Sequence, residues 1–203
     1  MLLNLEDLIN KYDCKIEGVL HIGANDGGEY QTYNRLLIYP IIFVEPLPNV
    51  FEQLVKNVGS NCICLNTALG NMESEVEMYV DTANNGGSSS ILTPKLHLTQ
   101  YPHIAFTHKL KVPITTVDKL DIPKCNFINM DVQGYELQVL YGAVNYLQSV
   151  KYVMLEVNRD ELYENCARVE QIDEFLGNYE FTRVETAWDG VTWGDAFYIK
   201  NTL

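Results

Sequence analysis

Residues 18–46 read GVLHIGANDGGEYQTYNRLLIYPIIFVEP. Gly18–Ile22 is a short β-type run that stops at a Gly/Asn/Asp cluster. Tyr30, Tyr33, Leu36 and Leu37 then recur at helical spacing over residues 29–39. Ile41–Glu45 follows as a second apolar strand. Strand, glycine turn, helix, strand is one βαβ unit. Gly23 lets the chain turn tightly, and Gly27 and Gly28 permit close approach of a ligand. The turn does not meet the dinucleotide pattern G-x-G-x-x-G, because Asn25 stands at the second glycine, and it has no Walker lysine. It suits a nucleoside-like ligand without demanding a pyrophosphate.

The alternation continues outward. Val50, Phe51, Leu54, Val55 and Val58 form a helix face, and Cys62–Leu69 reads as a third strand. Cys125–Met130 and Tyr152–Val157 are the fourth and fifth, each followed by a helical pattern. Glu180–Ala187 and Asp195–Lys200 end the series with no helix between them, so they pair as an antiparallel hairpin at the sheet edge. The expected fold is α/β, a doubly wound sheet of about seven strands in one domain. Residues 1–17 add an amphipathic N-terminal helix, with Leu2, Leu5, Leu8, Ile9 and Tyr12 on its apolar face. Residues 74–116 break the rhythm with a β-rich insertion, expected to cover the substrate.

Composition limits the function. The chain has 203 residues, 47% of them hydrophobic, which excludes a disordered polymer. Its 14 Lys+Arg against 27 Asp+Glu give a net charge of −13, which argues against nucleic acid or an anionic membrane surface as partner. No apolar run is long enough to span a bilayer. Five cysteines, an odd number without a CxxC pair, and the lack of an Asn-x-Ser/Thr sequon suggest reduced thiols and a cytoplasmic protein. Tyr30, Tyr33 and Tyr141 sit at helical spacing and are expected in the core. The oligomeric state is left open.

Carboxylates stand at strand ends, where open α/β sheets bind ligands. Glu45 lies about 20 residues after the turn, the place of a ribose-binding acid. Asp131 ends the fourth strand, and Glu156 and Asn158 close the fifth, facing the same cleft. Asp131, Glu156 and Asn158 are also hard-oxygen ligands, but strand-end carboxylates more often orient organic ligands, so no metal is assigned.

Eight segments resemble, in order, the FkbM family of S-adenosylmethionine-dependent methyltransferases. They are HIGANDGGEY, IIFVEPLPNVFEQL, NTALG, GGSSSIL, VPITTVDKL, FINMDVQGYELQVLYGA, VMLEVNRDELY and WGDAFYIK. The resemblance runs from Val19 to Lys200 and differs from the common family form at His21, usually Asp, and Gln133, usually Glu. It implies the class I methyltransferase (Rossmann-like) fold, S-adenosyl-L-methionine as cofactor, and methylation of a hydroxyl, often on a sugar. By position, Gly23, Ala24, Asn25 and Asp26 match the turn around the methionine and ribose parts of the cofactor. Glu45 matches the ribose acid, Thr67 and Ala68 the positions beside adenine, and Asp131 the acid after the fourth strand.

Methyl transfer to a hydroxyl benefits from a general base. Asp131 is the first choice and His21 the second, since imidazole titrates near neutrality. For the acceptor, a sugar or glycan, the expected contacts are Ser88, Ser89 and Ser90, His97 from the insertion, Glu156 and Asn158, a stacking Trp193 and a hydroxyl-binding Asp195. The alternatives are a small natural product or phenol as acceptor, a nicotinamide oxidoreductase, and a non-catalytic glycan-binding module on the same fold.

Overall fold

The computed structural model of the chain describes residues 2–201. Helix α1 (Leu5–Tyr12) starts where the Asn4 side chain accepts from the Asp7 N–H, and it buries Leu5 and Leu8. Strand β1 (Val19–Ile22) is buried at all positions, as an inner parallel strand should be. Next come α2 (Tyr30–Arg35), β2 (Ile41–Val44) and α3 (Pro48–Val58), whose proline sits in the first turn, where no N–H is missed. The expected helix over 29–39 is thus shorter. Leu37 takes a positive φ of 57° and is exposed, which ends α2 before its apolar spacing does.

The run Cys62–Leu69 is not one strand. It divides into β3 (Ile63–Leu65) and β4 (Ala68–Leu69), which belong to different sheets. Asn66 makes the break, its Nδ2 donating to the carbonyls of Glu45 and Pro46. The insertion supplies β5 (Ser74–Asp81), a short α4 (His97–Gln100) and β6 (Phe106–Thr115). With β4 they make a three-stranded sheet in the order β4-β6-β5.

The chain then returns through β7 (Phe127–Met130), α5 (Glu136–Tyr141), β8 (Tyr152–Asn158) and α6 (Val169–Gly177) to the hairpin β9 (Phe181–Asp189) and β10 (Trp193–Lys200). The main sheet has the order β3-β2-β1-β7-β8-β10-β9. Strands β1, β2, β3, β7 and β8 pair in parallel, and β10 lies antiparallel between β8 and β9. This is the expected α/β sheet with its antiparallel C-terminal hairpin.

Two apolar layers cover the sheet. Leu20, Ile22, Ile128 and Val153 face α5, α6 and the small sheet. Val19, Phe43, Phe127 and Met154 face Leu5 and Leu8 of α1 and Tyr33 of α2. Tyr141, expected in the core, is 47% exposed, because its ring packs edge-on against Phe175 at the outer surface. All five cysteines are free.

Candidate active site

Register aligns the functional side chains. His21 pairs with Phe43 and Asn129, and Ile22 with Val44 and Met130. One step further, Gly23 falls between Glu45 and Asp131. Met130 pairs with Leu155, so Asp131 stands beside Glu156, and Glu156 pairs with Asp195. Glu45, Gly23, Asp131, Glu156 and Asp195 therefore form one row across five strands, at the carboxyl ends of the parallel ones. A Cβ on Gly23 would lie 1.8 Å from the Asp131 carbonyl oxygen, and its φ is +77°, so glycine is required there.

A cleft opens over this row. His21, Gly23, Ala24, Asn25 and Glu45 line one side, and Thr67, Ala68, Leu69 and Met78 the end toward the small sheet. Gly86, Gly87 and Ser89 roof it, and Asp131 and Gln133 close the far side. Asp26, expected with the turn, is not among the lining residues; its carbonyl accepts from Asn57 Nδ2 at 2.8 Å.

The turn is fixed to β2. The N–H groups of Gly23 and Ala24 both donate to the Val44 carbonyl at 3.0 Å. Glu45 Oε2 accepts the Asn25 N–H at 3.0 Å, and Oε1 accepts the Leu47 N–H at 2.8 Å. Each oxygen keeps acceptor capacity for one more donor, which is what a vicinal diol needs. Burial pushes the Glu45 carboxyl up to about 7, against the pull of the two N–H groups.

At the other end, Asp131 is held by the turn into α5. Glu136 Oε1 accepts the N–H groups of Val132 and Gly134 at 3.0 and 3.1 Å. Gln133 takes a left-handed φ of 55° and turns its amide inward. Its Nε2 donates to Asp131 Oδ1 at 2.7 Å and to Glu156 Oε2 at 3.0 Å, and its Oε1 accepts from the Tyr163 hydroxyl at 2.8 Å. Burial raises Asp131 to about 6, the Gln133 hydrogen bond opposing it and Asp195 adding to it. Burial, then the charges of Asp131, Glu136 and Asp195, hold Glu156 well above the usual carboxylate range. The Gln133 amide nitrogen thus stands between the Asp131 and Glu156 carboxyls and spends its two hydrogens on them.

His21 is buried beside the row. Its Nδ1 lies 3.2 Å from the Tyr33 hydroxyl, and Asn129 Nδ2 donates to that same oxygen at 2.6 Å. Burial lowers its pKa and keeps the ring neutral. A ring so placed orients Tyr33 and stands back from the strand end where Asp131 emerges.

The expected acceptor residues fall into two groups. Glu156, Asn158, Trp193 and Asp195 form a two-by-two block on β8 and β10, with Asn158 opposite Trp193. Trp193 opens the strand instead of lying in the loop, and its Nε1 donates to the Tyr101 hydroxyl at 2.7 Å. Asp195 is fully buried, and its Oδ2 accepts from the Leu3 N–H at 3.0 Å and from the Leu2 N–H. The second group lies in the insertion. Ser89 Oγ accepts the Asp81 N–H, and Ser90 Oγ donates to the Gln133 carbonyl, so both hydroxyls brace the loop. The Ser88 carbonyl accepts from Tyr163 at 2.8 Å. His97 sits outside the cleft among Tyr101, Phe106 and Tyr163.

Sequence reasoning missed Asp81, Asn129, Tyr163 and the role of Gln133. Asp81 is buried, and its carboxylate accepts the N–H groups of Ala83, Asn84 and Ser88, shaping the glycine loop over the cleft. An Asp just before Asn84-Asn-Gly-Gly87 is a recognisable Asx-turn signal. Asn25 Nδ2 donates to the Asn85 carbonyl at 3.0 Å and ties that loop to the first turn.

These residues fit S-adenosylmethionine. A buried acid, Glu45, stands at one side, apolar Leu69 and Met78 can flank a base, and the half-buried Asp131 carboxyl stands on the wall at the end where a sulfonium would lie. Comparison with known proteins agrees. Among curated relatives, the 2-O-methyltransferase NoeI of Sinorhizobium fredii is 25% identical over 80% of this chain and 72% of its own length. The hexuronic acid methyltransferase AglP of Haloferax volcanii is 27% identical over 56% of this chain and 45% of its own. Among solved structures, methyltransferase FkbM from Methylobacillus flagellatus KT superposes with a TM-score of 0.58 at 13% identity, over 90% of this chain and 43% of that one. Magnesium protoporphyrin IX methyltransferase (ChlM) from Synechocystis PCC 6803, with bound S-adenosylmethionine, gives a TM-score of 0.55 at 8% identity, over 97% of this chain and 76% of that one. The family model of the methyltransferase FkbM domain matches residues 21–183, and the chain belongs to that family of S-adenosylmethionine-dependent methyltransferases.

Proposed function

We propose that the protein O-methylates a hydroxyl of a sugar, free, nucleotide-linked or in a glycan. The names of the two curated relatives support a sugar acceptor. The observation that carries the reading is a half-buried carboxylate, Asp131, on the cleft wall beside Gly23 in the same row and away from the diol-binding Glu45.

Glu45 accepts the two ribose hydroxyls, and the turn Gly23–Ala24–Asn25 packs against the methionine and ribose parts. Thr67 and Ala68 border the base. The bound cofactor supplies an electrophilic methyl group on sulfur. Asp131 receives the proton of the acceptor hydroxyl as its oxygen becomes nucleophilic, and Gln133 holds the carboxylate in place for that transfer. His21 serves the fold through Tyr33, and Asp131 is the base. The insertion 74–116 acts as a cover whose loop 82–90 closes over the cofactor, within one domain. The five free cysteines support a reducing compartment, and the assignment is cytoplasmic.

Incubation with labelled S-adenosylmethionine and a panel of sugar acceptors, with the product linkage read by NMR, tests the reading. A folded, cofactor-binding sample that methylates none of the sugars contradicts it.

A further inference from the structure

We infer that the acceptor subsite is the polar face of the sheet at Asn129, Glu156, Asn158 and Asp195, and that it takes a neutral polyhydroxylated ring and rejects one carrying a carboxylate. The inference rests on the sugar reading above and deepens it.

Buried polar atoms in folded proteins nearly always have hydrogen-bond partners. Among the described residues, five atoms on this face have none: Asn129 Oδ1, Glu156 Oε1, both side-chain atoms of Asn158, and Asp195 Oδ1. The four residues are at most 3% exposed. They share one side of the sheet, because Met154, Glu156 and Asn158 alternate along β8, and Glu156 pairs with Asp195. Asn129 opens into a cavity of about 160 Å³ whose outer wall is Leu3 and Asn4 and whose rim includes Glu29. Glu29 also lines the cofactor cleft, so the two spaces adjoin.

The unmade hydrogen bonds describe the missing partner. Four of the five atoms are oxygens, and one, Asn158 Nδ2, is a donor. Hydroxyls donate and accept, so a sugar ring satisfies such a set. A carboxylate only accepts, and it finds one amide donor. It would also stand beside Asp131, Glu156 and Asp195, and like charges brought together away from water oppose one another. A proton on Glu156 adds a donor but leaves the other two acids in the row. Arg35 borders the cavity, but its guanidinium is ion-paired with Glu6.

The test compares matched p-nitrophenyl glycosides: glucoside with glucuronide, galactoside with galacturonide, and mannoside with mannuronide. Labelled S-adenosylmethionine gives kcat/KM, and calorimetry gives the cofactor Kd. In every pair that reacts, the neutral member should be faster by about tenfold or more, the discrimination an unpaired buried charge commonly gives. A uronide that reacts as fast as its neutral partner overturns this inference and leaves the sugar reading intact. If no glycoside of either kind reacts while the cofactor binds, both fail. Asn158→Ala breaks no side-chain hydrogen bond and should leave the cofactor Kd unchanged. It should raise acceptor KM about tenfold, the loss of one or two hydrogen bonds. An unaltered KM places the acceptor elsewhere.

Discussion

Asp131 Oδ1 and Gln133 Nε2 lie 2.7 Å apart, and the second hydrogen on that nitrogen points to Glu156 Oε2 at 3.0 Å. One neutral amide thus separates the half-buried Asp131 from the buried Glu156, two acids that would otherwise face each other. Its orientation is set from behind by the Tyr163 hydroxyl on Oε1. Replacing Gln133 with Glu puts a third carboxyl in the same space. The pH at which kcat/KM is half-maximal should then rise by about one unit or more, since like charges oppose ionisation. Gln133→Met should shift it in the same direction by removing the donor. A profile unchanged in both variants refutes the bridging role.

Asp131→Asn keeps the volume and removes the proton acceptor. The turnover rate should fall by about 10²–10⁴-fold, the usual contribution of a general base. The cofactor Kd, measured by calorimetry, should change by no more than about threefold, because ribose binding lies with Glu45. In the unmodified enzyme, activity should rise with pH through about 6, as Asp131 ionises. Equal losses in Kd and turnover would make Asp131 a cofactor ligand instead.

Much of this arrangement is visible in the sequence, and the reason is register. Apolar runs Gly18–Ile22, Ile41–Glu45 and Cys125–Met130 announce parallel strands, and residues just past their ends must converge. That logic finds Gly23, Glu45 and Asp131 without coordinates. It fails where a side chain is aimed by an unusual backbone angle. Gln133 reaches Glu156 only because its φ is positive, and nothing in DVQGYE announces that. It fails also where one apolar run serves two sheets, as Asn66 separates β3 from β4. The serines look free to bind sugar in the string GGSSS, yet Asp81, distant from them by a loop, takes Ser88 and Ser89 into its own turn. Asn129 shows no polar signal inside an apolar strand until its neighbours His21 and Tyr33 are placed.

Cofactor binding should depend on pH through Glu45. Its carboxyl sits at about 7, so protonation below that value removes acceptor capacity for the ribose hydroxyls. Affinity for S-adenosylhomocysteine should therefore weaken as pH falls from 8 to 6 and level off above 8. Glu45→Ala should weaken binding about 10–100-fold, corresponding to one or two charge-assisted hydrogen bonds. Calorimetry at three pH values decides it, and a flat profile removes Glu45 from the ribose.

Folding stability should run against the usual acid-denaturation trend. Glu45, Asp131, Glu136, Glu156 and Asp195 all have raised pKa values, with burial as the leading cause in each. The unfolded chain releases these protons near the ordinary carboxylate values, while the folded chain holds that of Asp131 to about 6 and those of Glu45 and Glu136 to about 7, with Asp195 raised and Glu156 raised well above its ordinary value. Between those limits the native state binds more protons, so the free energy of unfolding falls as pH rises. Below about pH 4 both states are protonated and nothing is lost; above about 7 most of the loss is complete. A carboxyl that holds its proton tenfold more tightly in the folded chain contributes about 1.4 kcal/mol, so the melting temperature of the ligand-free protein should be several degrees higher at pH 5.5 than at pH 8. Glu156→Gln removes one of the most strongly raised acids and should flatten the slope. A melting temperature that climbs from pH 5.5 to 8 would mean that these carboxylates are ionised and paired in the native state, contrary to the desolvation that raises each of them.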